Sequence, residues 1–181
     1  MNCKVFLEVG TCNYDTLIPL TKKGWKGYCV EPISQYVNDL LKYNANVVLS
    51  NCAISSYDGV LEMYQCKPDS IERERGISHA VKQHGASMLK DKYSHLIKDV
   101  IKVPCYTLHS YIKRMSIERI DFLKLDTEGH ENDIFDAYDW CVKPTFMKVE
   151  HGHTDDKKLR KTFEDQGYIV YYEENDLYAI R

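Results

Sequence analysis

No apolar run in the chain approaches the roughly 20 residues that a membrane helix requires, so no membrane span is expected. Basic residues are not in excess either. The 24 Lys and Arg stand against 27 Asp and Glu, for a net charge of -3, which sets aside a general binder of nucleic acid or anionic membranes. The seven cysteines are scattered, odd in number and never spaced C-x-x-C. This argues against a zinc module or a disulfide framework and for reduced thiols in a cytoplasmic protein. No signal peptide is expected, because Met1-Asn2-Cys3-Lys4 runs straight into an apolar, strand-like stretch. Internal repeats and low-complexity segments are lacking too. The 181 residues, 44% hydrophobic and 28% charged, suffice for one compact domain over 1–181 and leave no room for two.

The stretch 120–131, I-D-F-L-K-L-D-T-E-G-H-E, organises the rest. Its first half is apolar enough for a strand buried on both faces, with Asp121 and Lys124 expected near its ends or snorkelling outward. Its second half sets Asp126, Glu128 and Glu131 around Gly129 and His130, and a helical pattern follows over 132–138. Such a turn can be a plain helix cap, with acids at the positive N-terminus. It is also the layout in which a sheet strand presents chemistry at its carboxyl end.

Strands are expected at 5–9, 25–31 and 47–49, with a short helix after Gly10 and a longer one opening at Ser34. Alternating strands and helices imply parallel βαβ units. The alternation breaks at the turn 55–59, after which 60–66 reads as a strand returning in a hairpin. The segment 67–98 is polar and irregular, with Arg73, Arg75, His79, His84 and Gly85, and its length makes it a candidate lid. A strand near 100–106, a helix from Leu108, a strand over 144–150, a helix over 155–166 and a hairpin of 168–173 with 177–180 complete the chain.

Glu8, Gly10 and Glu31 form a first candidate site. A glycine turn lets a ligand approach the backbone, and an acid about 20 residues on can bind ribose hydroxyls. The turn carries one glycine and no G-x-G-x-x-G, which favours a nucleoside without a diphosphate; a plain tight turn is the other reading of the same residues.

Glu8-Val9-Gly10, Glu31-Pro32, Asn51-Cys52-Ala53, Thr107-Leu108 and the run 120–131, in this order, resemble the FkbM-type S-adenosylmethionine-dependent methyltransferases. The resemblance implies a Rossmann-like class I α/β fold, with a mostly parallel seven-stranded sheet and a C-terminal β-hairpin as its antiparallel part. It further implies O-methylation, often of sugars or natural products. Glu8 stands where the family usually has Asp, and Tyr14 where a second glycine is common. On this fold Gly10 and Thr11 would meet the methionine part of S-adenosylmethionine with Glu8 behind them. Glu31 would bind the ribose, Asp126 could position the sulfonium side of the donor, and Asn51, Cys52 and Ala53 would border the adenine.

The acceptor, a small molecule or glycan rather than nucleic acid, would meet Asp126, Glu128, His130 and His151. Histidine suits the base because its unperturbed pKa lies near the operating pH. Asp126, Glu150 and His153 could instead hold a divalent ion, a less favoured arrangement. Tyr57, Tyr64, Tyr93 and Tyr106 could stack on a sugar or cover the cofactor. Two rivals stand beside the methyltransferase. A nicotinamide-dependent oxidoreductase is disfavoured by the single-glycine turn and the lack of a Tyr-x-x-x-Lys pattern. A non-catalytic nucleoside- or glycan-binding module on the same fold is the other.

Overall fold

The computed structural model describes residues 3–13, 16–43, 46–66, 78–81 and 94–181. Tyr14, Arg73, Arg75, His84, Gly85, Tyr93 and most of the lid-like segment 67–98 lie outside the described residues.

In chain order the strands are β1 (Val5–Val9), β2 (Lys26–Val30), β3 (Val47–Ser50), β4 (Ala53–Ser55), β5 (Gly59–Cys66), β6 (His79–Ala80), β7 (Ile97–Thr107), β8 (Phe122–Leu125), β9 (Phe146–Glu150), β10 (Ile169–Glu173) and β11 (Asp176–Ile180). The described α-helices are α1 (Ser34–Leu40), α2 (Leu108–Arg114), α3 (Glu131–Asp136) and α4 (Asp156–Asp165). Residues Ile18–Lys23, between β1 and β2, form a 3-10 helix with Pro19 in its first turn, where a missing N–H costs nothing. Gly24 closes it in the left-handed region at φ 81°.

Seven strands make one sheet in the order β3-β2-β1-β8-β9-β11-β10. The first five are parallel, and β11 runs antiparallel to both β9 and β10. The chain builds outward from β1 through β2 to β3, then returns to the other side of β1 for β8. That reversal leaves a crevice beyond the carboxyl ends of β1 and β8, the switch point at which doubly wound sheets bind ligands. The architecture is Rossmann-like, with the C-terminal hairpin as its antiparallel edge.

The two faces of the sheet are covered separately. Leu7, Val9, Leu123, Leu125, Met147 and Val149 pack with Leu108, Tyr111, Ile134, Phe135, Leu159 and Phe163 from the helices. On the opposite face Phe6 and Cys29 pack with Ile18 and Leu40. Strand parity divides these sets, since alternate residues point to opposite faces. Lys124 departs from expectation. It does not snorkel but lies 6% exposed, with Nζ 3.3 Å from Oε1 of Glu8, its register partner on β1. Asp121 precedes β8 and accepts the Val5 N–H at 2.9 Å.

A second sheet, β4-β7-β5-β6, was not anticipated. β5 does return antiparallel, but onto the long β7, and β4 joins the far edge of β7 in parallel. Ala53, Leu61, Met63, Ala80, Val103 and Cys105 form its own small core. Among the described residues no helix is long and apolar enough to cross a membrane.

Candidate active site

The crevice begins at Gly10. Its φ of 75° is natural to glycine, and a Cβ there would collide with the Asp126 carbonyl oxygen. The approach is fixed by the sheet: the Asp126 N–H donates to the Val9 carbonyl at 3.0 Å and the Gly10 N–H to the Val30 carbonyl at 3.0 Å. Three strand ends therefore converge at one point.

Glu31 finishes the cradle. It is 4% exposed and accepts backbone N–H groups from Cys12 and Ile33, each at 2.7 Å. Burial pushes its carboxyl up to about 7 against those two bonds, with Asp126 and Glu8 adding to the rise. Cys12, at φ 51°, is bent over the site by this carboxylate. The walls are Cys52, Ala53 and Ile54 after β3, Pro32, Ile33 and Tyr36 after β2, and Asp126, Thr127 and His130 after β8. The second sheet contributes Leu61, Met63 and Ala80.

Of the residues expected to bind a cofactor, Gly10, Glu31, Cys52, Ala53 and Asp126 line this pocket; Glu8, Thr11 and Asn51 stand outside its lining. Glu8 is wholly buried and accepts the Thr16 hydroxyl at 2.6 Å and the Leu17 N–H at 2.9 Å, so it anchors the end of the glycine loop from beneath. Burial raises its carboxyl, and Lys124 opposes the rise. The Thr11 hydroxyl turns back toward the Glu8 and Val30 carbonyls, 3.4 Å from each. Asn51 spends its amide on the carbonyls of Glu31 and Pro32, both at 2.9 Å, and accepts the Ser34 hydroxyl at 2.8 Å. These three shape the pocket through the backbone.

The turn after β8 is built on Glu131, which is fully buried. One oxygen accepts the Thr127 N–H at 2.6 Å and the Thr127 hydroxyl at 2.7 Å; the other accepts the Gly129 N–H at 2.9 Å. Burial holds this carboxyl at about 7. Glu128, at φ 58°, is thereby thrust toward β9, with His153 Nε2 3.7 Å from its carboxylate. Burial and then the charges of Asp126, Glu150 and Glu131 raise the Glu128 carboxyl well above the ordinary range. Glu150 is pushed up to about 8, by burial first and then by Glu131 and Asp126. One of its oxygens accepts the Gly152 N–H at 2.6 Å; the other is shut off from water without a hydrogen-bond partner.

The two catalytic histidine candidates differ. His130 borders the pocket, but both its nitrogens are engaged, Nε2 with the Ser55 hydroxyl at 3.0 Å and Nδ1 with Asp133 at 3.1 Å. His151 meets Tyr172 edge-on, 5.2 Å between centroids, and its Nε2 is buried with no hydrogen-bond partner. Glu128 and Glu150 thus form an acidic group with His153, beside the pocket rather than in its lining, while the His151 ring packs against Tyr172. Asp126, Glu150 and His153 do not bring three ligand atoms within 4.8 Å of one another. Of the tyrosines singled out from the sequence, the three among the described residues do not line the pocket; Tyr57 is half exposed, Tyr64 packs on His79, and Tyr106 lies under Arg114. Tyr36 takes that place, visible in sequence only as one apolar position of α1.

The model of the methyltransferase FkbM domain matches residues 8–170. The chain belongs to that family. No curated protein matches it. Among solved structures, a chain of a fibrillarin/Nop5p complex superposes with a TM-score of 0.46 at 11% identity, covering 98% of this chain and 72% of that one. The crevice at β1, β2 and β8 is accordingly the candidate active site of a methyltransferase, with the acidic group beside it.

Proposed function

We propose that this methyltransferase moves the methyl group of S-adenosylmethionine to a hydroxyl of a sugar or another small acceptor. The observation that carries the reading is the cradle of Gly10, Glu31 and Asp126, with the raised carboxyls of Glu128 and Glu150 feeling the Asp126 charge beside it. When bound, the sulfonium supplies the methyl group and leaves as the thioether S-adenosylhomocysteine. Gly10 lets that ligand lie against the backbone at the ends of β1 and β8, where any side chain would intrude. The Glu31 carboxylate retains lone pairs for the two ribose hydroxyls, and the apolar walls at Ile33, Cys52 and Ala53 suit a flat base.

Alignment of acceptor oxygen, methyl carbon and sulfur is the main task of such an enzyme, and positioning alone can contribute several kcal/mol. Asp126 lines the pocket and is the candidate for placing the reacting groups. As attack develops, the acceptor hydroxyl must lose a proton. His130 is already committed to Ser55 and Asp133 and serves as a wall, which leaves His151, whose Nε2 has no hydrogen-bond partner, as the candidate base. Glu128 and Glu150 are raised carboxyls that can donate to acceptor oxygens. This favours a polyhydroxy acceptor over nucleic acid or a membrane surface. A cytoplasmic site of action fits the seven free thiols.

Calorimetry with S-adenosylhomocysteine tests the donor half. Wild type should bind, and Glu31→Ala should lose at least about tenfold in affinity, the scale of one to two charged hydrogen bonds. Methyl-labelled donor incubated with a glycan extract tests the acceptor half, with label expected in a base-stable ether. Absence of S-adenosylhomocysteine binding overturns the reading. Binding without transfer reduces the protein to a module that recognises the nucleoside.

A further inference from the structure

We propose that His109, Asp139 and Cys141 form a binding site for a divalent cation of the zinc class, separate from the methyl-transfer crevice. His109 is the second residue of α2, and Asp139 and Cys141 flank Trp140 in the turn after α3. A nitrogen, a carboxylate oxygen and a sulfur from these residues lie within 4.8 Å of one another. None of the three lines the crevice or the cleft next to it.

The turn is shaped to present them. Trp140 takes a left-handed φ of 57°, and its indole is fixed inward, stacked on Phe135 at 5.6 Å and edge-on to Phe163 at 6.1 Å. With the middle residue anchored, its two neighbours project from the surface together. One Asp139 oxygen accepts the Cys141 N–H at 3.0 Å, which closes the turn. The other lies 2.6 Å from His109 Nδ1, an atom shut off from water. Imidazole nitrogen and carboxylate oxygen are therefore already in contact, with the thiol sulfur within 4.8 Å of both.

The donor set selects the ion. Magnesium and calcium prefer all-oxygen shells, whereas one nitrogen, one oxygen and one sulfur suit zinc or cobalt in a tetrahedron. Zinc bonds of about 2.0–2.3 Å place tetrahedral donors about 3.5 Å apart, so rotamer adjustment brings these ligands into range. Binding replaces the Cys141 S–H bond with a metal–thiolate bond and the His109 Nδ1–H bond with a metal–nitrogen bond, the thiol proton going to solvent and the imidazole proton to Nε2 or solvent. Three protein ligands leave the fourth position to water.

Cobalt(II) titration of the whole protein is the test, read by the thiolate-to-cobalt absorption in the near ultraviolet and by the visible bands of tetrahedral cobalt. Wild type should show both, and zinc should abolish them. Cys141→Ser should lack the ultraviolet band, while Cys3→Ser, at the other exposed cysteine, should keep it. His109→Ala and Asp139→Asn should each weaken zinc at least tenfold in competition with a chromophoric chelator. Melting curves of the metal-free variants show whether each remains folded. The proposal falls if wild type gives no band at millimolar cobalt, if the band survives Cys141→Ser, or if both His109→Ala and Asp139→Asn bind zinc like wild type.

Discussion

Asp126 carries two jobs on one residue. Its backbone completes the parallel ladder at the end of β8, and the residue also lines the pocket proposed for methyl transfer. Asn is nearly isosteric, so Asp126→Asn separates the jobs. Turnover should fall by roughly 10²-fold, the scale for losing one preorganised polar group, with little change in melting temperature. A variant that melts far earlier would show a structural cap, and one with normal turnover would remove Asp126 from the chemistry. Glu150 supports a second prediction. Its proton is held up to about 8 in the fold against an ordinary 4.5, so the folded state binds it more tightly than the unfolded chain does. The stability this contributes is complete below about pH 4.5 and lost as pH rises through about 8. Glu150→Gln cannot titrate, so its melting temperature should drop less than that of wild type between pH 5 and pH 8.5. Parallel curves from scanning fluorimetry would exclude Glu150 as the source. The place of Glu31 in the pocket lining was legible from sequence because it ends the second parallel strand, and such sheets open their crevice at the carboxyl ends of the strands. Asn51 was not, because composition reveals an amide but not that backbone carbonyls already occupy it. Glu8 was half legible: its parity puts it on the Phe6 side of β1, under the sheet, while Gly10 turns out at the end.

At the level of elements, the five parallel strands and the terminal hairpin could be read because each is a short apolar run between turn residues. Helix ends were less exact. The run starting at Ser34 continues past Leu40 as a tighter 3-10 turn, and α3 begins one residue before the expected start, at Glu131. The second sheet escaped because its partners are far apart in sequence: β4 has three residues, and β7 pairs with it across roughly fifty positions. Periodicity shows that 60–66 is a strand, not where its edge goes. The glycine loop offers the sharpest test at this scale. Gly10→Ala must move either the loop or the end of β8, since both the φ and the missing Cβ are used. S-adenosylhomocysteine binding should be abolished, and unfolding should come about 1–3 kcal/mol earlier in a denaturant titration, the usual cost of a strained backbone site. Wild-type affinity in Gly10→Ala would mean that the loop is not the donor cradle.

Across the whole molecule, the pocket belongs to both sheets. The main sheet provides the ends of β1, β2 and β8, while β5 reaches over with Leu61 and Met63 on alternate positions of one face. Two elements with separate cores thus share one ligand surface, and ligand should couple them. Amide hydrogen exchange reads such coupling directly, because a ligand bound only by the native state suppresses local opening where it bridges elements. On adding S-adenosylhomocysteine, exchange should slow in β5 as well as in the loop after β1 and the turn after β8. It should stay unchanged in β10 and β11, at the far edge of the main sheet. Met63→Ala sharpens the test: Met63 is buried in the small core and lines the pocket, so its loss should weaken the ligand and erase the protection in β5 together. Protection confined to the main sheet, with Met63→Ala binding like wild type, would leave the second sheet a neighbour of the site and not one of its walls.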